Sequence, residues 1–347
     1  MTVRNSRGRS GSGVTIEDVA RVAGVSRQTV SNALNAPHRV REETLKRVTA
    51  VIEGLGYQPD QSARSLKTGL RYTIGYLAPD DDPFNPNPVM GGFLTALCDA
   101  AAAVGYRVLL FRPQSAVSDP RKAFDDLIAA RQVDGFVLSD VLLDDPRVDH
   151  LSELGFPFVA FGQTGPGRPQ DWVDADNAQG MYDVAALLAA RGHRRVGYIG
   201  SSTGVPWMSN RYKGFRRGAG QFGLEVATVF EPSESGEFRE ELTAAVRGLL
   251  QSAERPSALV AAADLLALAA YDAVRGEGLS VGVDIAVVGF NDLPLCGLLS
   301  PRLTSVRMPL RSIASELMAR LLAQVQSGEP AGAGSLLPPE IIIRDSI

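Results

Sequence analysis

Residues 14–35, VTIEDVARVAGVSRQTVSNALN, admit few folded solutions, because their apolar residues repeat at helical spacing on both sides of one glycine. Ile16, Val19 and Ala20 form one face, with Thr15 placed as an N-cap and Asp18 in the first turn, so a helix is predicted from about Ile16 to Ala23. Gly24 ends it. Ser26 offers a second N-cap, and Val30, Ala33 and Leu34 predict a second helix from about Arg27 to Leu34. The buried side would be Val19, Ala20, Ala23, Val25, Val30 and Leu34, leaving Arg27, Gln28, Ser31 and Asn32 outside. Such a pair is either an ordinary helical hairpin with a solvated face or a helix-turn-helix, whose second helix enters the DNA major groove. The outer residues suit the second reading, since Arg pairs with guanine and Gln or Asn with adenine.

A net charge of −4 argues against a nucleic-acid binder until its distribution is considered. Of 35 basic and 39 acidic residues, the first 70 positions hold 11 and 6, so a basic module precedes an acidic body. Residues 1–13 are Arg, Ser and Gly with little to bury and are predicted to be a disordered arm. Beyond Pro37, the spacing of Leu45, Val48, Ile52 and Leu55 predicts a third helix over Arg41 to Leu55, and Tyr57 packs back to close a helical domain at 14–58. Residues 59–70 are too short and polar to stay helical alone, and composition favours a plain linker. The alternative is a segment that folds on DNA, with Ala63 and Leu66 at i, i+3 inserting into a minor groove.

From Arg71 onward short apolar runs such as TIGYLA (73–78), GFVL (135–138) and IAVVGF (285–290) alternate with helical stretches, the pattern of buried parallel strands. IGYL at 74–77 and VGYI at 196–199 open two similar halves, which predicts a doubly wound α/β core with a ligand cleft at the carboxyl ends of the strands. No run of about 18 apolar residues and no signal-peptide centre occurs, so a cytoplasmic, bacterial setting is expected. Cys98 and Cys296 form no motif, and no cofactor or metal is expected. Residues 200–204, GSSTG, fit GxSxG, but that fold places its histidine after the serine, and His38, His150 and His193 all precede it. No enzyme is expected. The aspartates 80, 81, 82, 174, 176, 264 and 292 fall where loops follow strands; such residues are commonly caps, and here they are read as acceptors for a polyhydroxy ligand.

TIEDVARVAGVSRQTVSNALN, EETLKRVTAVIEGLGYQPDQSARSL, VDADNAQG, RGHRRVGYIG, DIAVVGFND, SPRLTSVRMP and PPEIIIRDS together closely resemble the LacI family of bacterial transcription repressors over Val14 to Ile347. The resemblance implies an all-α helix-turn-helix headpiece and a two-lobed core of parallel sheets like type I periplasmic binding proteins. Lobe one would span about 71–172 and 303–331, and lobe two about 173–302 and 332–347. It also implies a homodimer on a double-stranded, pseudo-palindromic operator and release by a small effector, expected to be a saccharide. The DNA-binding set is then Thr15, Ser26, Arg27, Gln28, Thr29, Ser31, Asn32, Tyr57, Ala63 and Leu66, with Arg27, Gln28 and Asn32 choosing bases and Leu66 wedged into the minor groove, against the plain linker. The effector set is Asp80, Phe84, Asn85, Gln163, Trp207, Arg211, Asp264 and Asn291. Gly162-Gln163 and Ala263-Asp264 depart from the common family pattern, while PFVAFGQT is most like members answering to α-glucosides. The alternative function is a solute-binding or sugar-processing protein using the same cleft.

Overall fold

The computed structural model describes residues 14–57, 65, 68–78, 88–113, 119–165, 170–201, 205–230 and 238–347. The arm, most of the 59–70 linker, and Ala63, Leu66, Asp80, Phe84 and Asn85 lie outside the described residues. Two compact units are present, Met1–Arg71 and Tyr72–Ile347.

The first unit holds α1 (Ile16–Ala23), α2 (Arg27–Asn35), a 3₁₀ turn at Pro37–Arg39 and α3 (Glu42–Leu55). Thr15 and Asp18 make a reciprocal capping box: the Asp18 amide donates to Thr15 Oγ1 at 3.3 Å and the Thr15 amide to Asp18 Oδ2 at 3.0 Å. Gly24, at φ +64°, takes the left-handed conformation that lets the chain turn into α2. Val19, Ala23, Val30 and Val48 are buried at the centre, and Ile52, Leu55 and Tyr57 close over them. Thr15→Ala removes one cap and is expected to cost about 1 kcal/mol locally. Amide exchange in the full chain would then speed several-fold in α1 and not in the core; equal exchange in α1 of both proteins would contradict the cap's role.

The second unit runs β1 (Thr73–Leu77), α4 (Val89–Ala103), β2 (Arg107–Phe111), α5 (Pro120–Ala129), β3 (Gly135–Leu138), α6 (Pro146–Glu153), β4 (Phe158–Phe161) and β5 (Asp171–Ala175). It continues with α7 (Asn177–Ala190), β6 (Arg195–Ile199), α8 (Pro206–Phe222), β7 (Glu225–Phe230), α9 (Phe238–Gln251), β8 (Ala258–Ala261) and α10 (Asp264–Gly276). β9 (Ala286–Asn291), β10 (Thr304–Arg307), α11 (Leu310–Ser327), β11 (Gly334–Leu337) and β12 (Glu340–Ile342) complete it. Sheet one has the order β11-β5-β4-β3-β1-β2 and sheet two β12-β10-β9-β8-β6-β7. All pairs are parallel except β10 with β12. β3, β4 and β8 are buried at every residue, which is why they read in sequence as unbroken apolar runs. No helix among the described residues is long and apolar enough to cross a membrane.

The lobe boundaries need correction. The chain leaves sheet one after Ala175, leaves sheet two after Arg307 and leaves sheet one again after Leu337, so lobe one is 72–175 with 310–337 and lobe two 177–307 with 340–347. The reason is ladder completion. Asp171–Ala175 pairs along its length with β4 and β11, and Thr304–Arg307 pairs with β9, so a switch at 172 or 302 would break a parallel ladder and strand buried amides.

Candidate DNA-reading face and effector site

In the helical unit, the Ser26 cap sets the start of α2: the Thr29 amide donates to Ser26 Oγ at 3.1 Å, and the two hydroxyls lie 2.8 Å apart. Thr15, Ser26 and Thr29 therefore have their hydroxyls engaged within the unit. Val30 faces inward and is fully buried, whereas Arg27 and Gln28 are exposed and Ser31 and Asn32 half-buried. Gln28 Nε2 donates to Asn32 Oδ1 at 2.9 Å, one helical turn on, so the two amides present one composite edge. Arg27 Nη1 lies 3.2 Å from Glu17 Oε1 on α1, a pairing that periodicity within α2 could not show. Tyr57 packs on the buried cluster.

In the core, Arg211 is the centre of the site. It enters from the second turn of α8 and is 2% exposed. Its Nε donates to Asn177 Oδ1 at 2.8 Å, Nη1 to the Ala262 carbonyl at 2.6 Å and Nη2 to Asn291 Oδ1 at 3.0 Å, with Met308 Sδ at 3.6 Å. The guanidinium carbon stands 3.7 Å from the Phe290 ring centre and 4.5 Å from that of Trp207. Asn177 follows β5, Ala262 follows β8, Asn291 ends β9 and Met308 follows β10, so carboxyl ends of strands supply these four hydrogen-bond acceptors. Burial pushes the Arg211 pKa down to about 9, opposed by Tyr198, Asp174 and Asp264.

Asn177 also reaches lobe one, its Nδ2 donating to Asp174 Oδ1 at 3.3 Å and to the Ala175 carbonyl at 3.1 Å. Asp174 is not a loop residue but part of β5, and burial pushes its carboxyl up to about 7 against the Ala175 amide, Arg211 and Asn177. Such a group binds its proton more tightly folded than unfolded. The linked stability is therefore highest at acid pH and falls as pH rises from about 4 to about 7. Asp174→Asn keeps the acceptor and is expected to flatten melting temperature against pH across that window; an unchanged slope would contradict it.

Asp264, expected to face a ligand, lies wholly inside lobe two. Its Oδ1 accepts from Ser305 Oγ at 2.6 Å and its Oδ2 from the Leu293 amide at 2.8 Å, while the Asp292 amide donates to Ser305 Oγ at 3.0 Å. These bonds hold a turn in which Asn291 and Asp292 have φ of 111° and 52°, values costly for non-glycine residues. Asp264 thus positions Asn291 on Arg211. Asp176 is the N-cap of α7, accepting from the Gln179 amide at 2.8 Å, and Asp292 pairs with Arg307 and Arg344 at 2.7 Å each. On the lobe-one side, Gln163 Oε1 accepts from Asn210 Nδ2 of α8 at 3.4 Å. Within lobe one, Tyr76 and Ser139 share a buried hydroxyl contact at 2.8 Å, and Phe93 packs on Phe161. Asn177, Phe290, Met308, Tyr76 and Ser139 escaped the sequence reading; only the Asp-Asn step at 176–177 carried a signal. His150 pairs with Asp125 and His193 with Ser257, away from this setting.

Fold and geometry define a class: a DNA-reading helix-turn-helix unit on a two-lobed ligand-binding core. Residues 15–60 match the bacterial regulatory proteins, lacI family, and residues 185–347 match a periplasmic binding protein-like domain. AglR of Rhizobium meliloti, an HTH-type transcriptional regulator, is 30% identical over 96% of this chain and 94% of its own length. The transcriptional repressor CytR of Escherichia coli strain K12 is 32% identical over 96% of each. A solved complex of the regulator CelR with cellobiose superposes with a TM-score of 0.69 at 28% identity, covering 96% of this chain and 99% of that one. The chain belongs to the lacI family of bacterial regulatory proteins; it is a DNA-binding transcriptional regulator and not an enzyme.

Proposed function

We propose that the chain acts in the cytoplasm as a homodimeric repressor on a pseudo-palindromic operator, and that a saccharide bound between the lobes lowers its operator affinity. The observation that carries the effector half is the Arg211 setting. A guanidinium has five N–H hydrogens. Three are committed to oxygen acceptors and one rests on the Met308 thioether, which leaves one N–H, on Nη1, for a ligand oxygen. Trp207, half-buried beside Arg211, supplies a ring suited to the apolar side of a sugar, and the CelR structure holding cellobiose supports that ligand class. Arg211 is nearly inaccessible with Met308 and the Gln163 to Asn210 contact in place, so ligand entry requires the lobes to part. Asp80, Phe84 and Asn85 are proposed as further effector contacts, and PFVAFGQT favours an α-glucoside.

On the DNA side, Arg27, Gln28 and Asn32 choose bases, Thr15, Ser26, Thr29, Ser31 and Tyr57 fix the headpiece on the backbone, and Ala63 and Leu66 occupy the minor groove. Coupling is reciprocal: a saccharide that weakens operator binding is itself bound more weakly by the operator complex. Thermal-shift screening with a sugar panel, then operator titration with and without each hit, tests the mechanism; an effector that leaves operator affinity unchanged would overturn it. Arg27→Ala is expected to cost about 1 to 3 kcal/mol at the contacted base pair. Equal losses on all sequences would reduce Arg27 to a phosphate contact.

A further inference from the structure

We infer that Glu17 determines base specificity by positioning Arg27, holding one edge of the guanidinium so that the other is presented to a guanine. The inference rests on Arg27 reading a base, as proposed above. Glu17 is the second residue of α1 and Arg27 the first of α2, and their side chains are 62% and 70% exposed. An ion pair this open contributes little to folding. The first turn of α1 already has Asp18 for its cap, so the helix itself does not need Glu17. What the pair changes is the freedom of Arg27. The Gly24 turn and the Ser26 cap fix the backbone between the two helices, but they leave a long arginine free to rotate. A carboxylate 3.2 Å from Nη1 selects among those rotamers before DNA arrives, which lowers the ordering cost of a bidentate contact.

The same carboxylate has a second effect. On DNA it stands in the field of the phosphates and opposes binding to every sequence. Where Arg27 meets a guanine, the preorganised contact offsets that opposition; where it meets another base, nothing does. Glu17 therefore widens the gap between the preferred site and the rest.

The test uses the full chain and sites selected from a randomised duplex pool. The first arm is Arg27→Ala, which should lose the base preference at one pair in each half-site; if it does not, the base-reading role of Arg27 fails and this inference with it. Given that loss, Glu17→Gln should bind unselected duplex several-fold more tightly, while its preference at that same pair falls about tenfold. In the Arg27→Ala background Glu17→Gln should leave base preference unchanged. Two results would overturn the inference: an unaltered selected motif in Glu17→Gln alone, or a changed motif in the double variant, which would make Glu17 a direct reader of a base.

Discussion

Arg211→Met protein is expected to bind operator as the parent does and to ignore effector. Two opposing terms keep the substitution from simply unfolding the core. Removing the guanidinium leaves Asn177 Oδ1, the Ala262 carbonyl and Asn291 Oδ1 without their donor, at about 1 to 3 kcal/mol each when no water replaces it. Removing a buried charge relieves a desolvation cost of several kcal/mol. These nearly offset, so melting should shift modestly. The ligand has no such compensation. Loss of one charge-assisted hydrogen bond, about 1.5 to 3 kcal/mol, lowers effector affinity by about 10- to 100-fold. Calorimetric titration with the sugar identified by screening measures it. Wild-type affinity in the variant would remove Arg211 from the site.

The second large effect belongs to Gly214, one turn beyond Arg211. A Cβ at this position would stand 2.0 Å from the Ala178 carbonyl oxygen of α7, a contact with backbone that no rotamer can avoid. Gly214→Ala should therefore sit at the upper end of overpacking costs, about 3 kcal/mol or more. Forcing α8 from α7 also separates Arg211 from Asn177, so effector binding should weaken together with melting temperature. A variant that melts and binds as the parent does would show that the two helices are free to part. Gly220, on the same helix, has nothing within reach of a Cβ, and Gly220→Ala is the matched control.

The two predictions differ in what could be read beforehand. Arg211 was legible through the family resemblance of its flanking segment, but its partners were not. Asn177, Ala262, Asn291 and Met308 are separated by dozens of residues, and each follows a different strand. Local periodicity carries no information about which strand ends converge. Asp264 shows the converse error. Its place after an apolar run predicts an exposed loop carboxylate, yet the turn at 291–293 and the Ser305 hydroxyl need its two oxygens. The strands at 171–175, 225–230 and 304–307 were equally obscure, because mixed polar and apolar residues there match no single period.

The helical unit was the most legible part of the chain. Its helices, caps and glycine turn depend on residues three or four apart, so α1 ends where the pattern predicted and α2 and α3 lie within one residue of it. Sequence by itself therefore determined the two helices with their glycine turn, the buried apolar strands of each half and the basic-to-acidic split, since all three follow from short-range spacing or from counting. Only the tertiary structure decided where the chain changes lobes, that Asn177 joins β5 to Arg211, and that Glu17 faces Arg27. Those depend on how separate elements meet in space, and hydrogen-bond ladders and close packing, rather than local preference, select that arrangement.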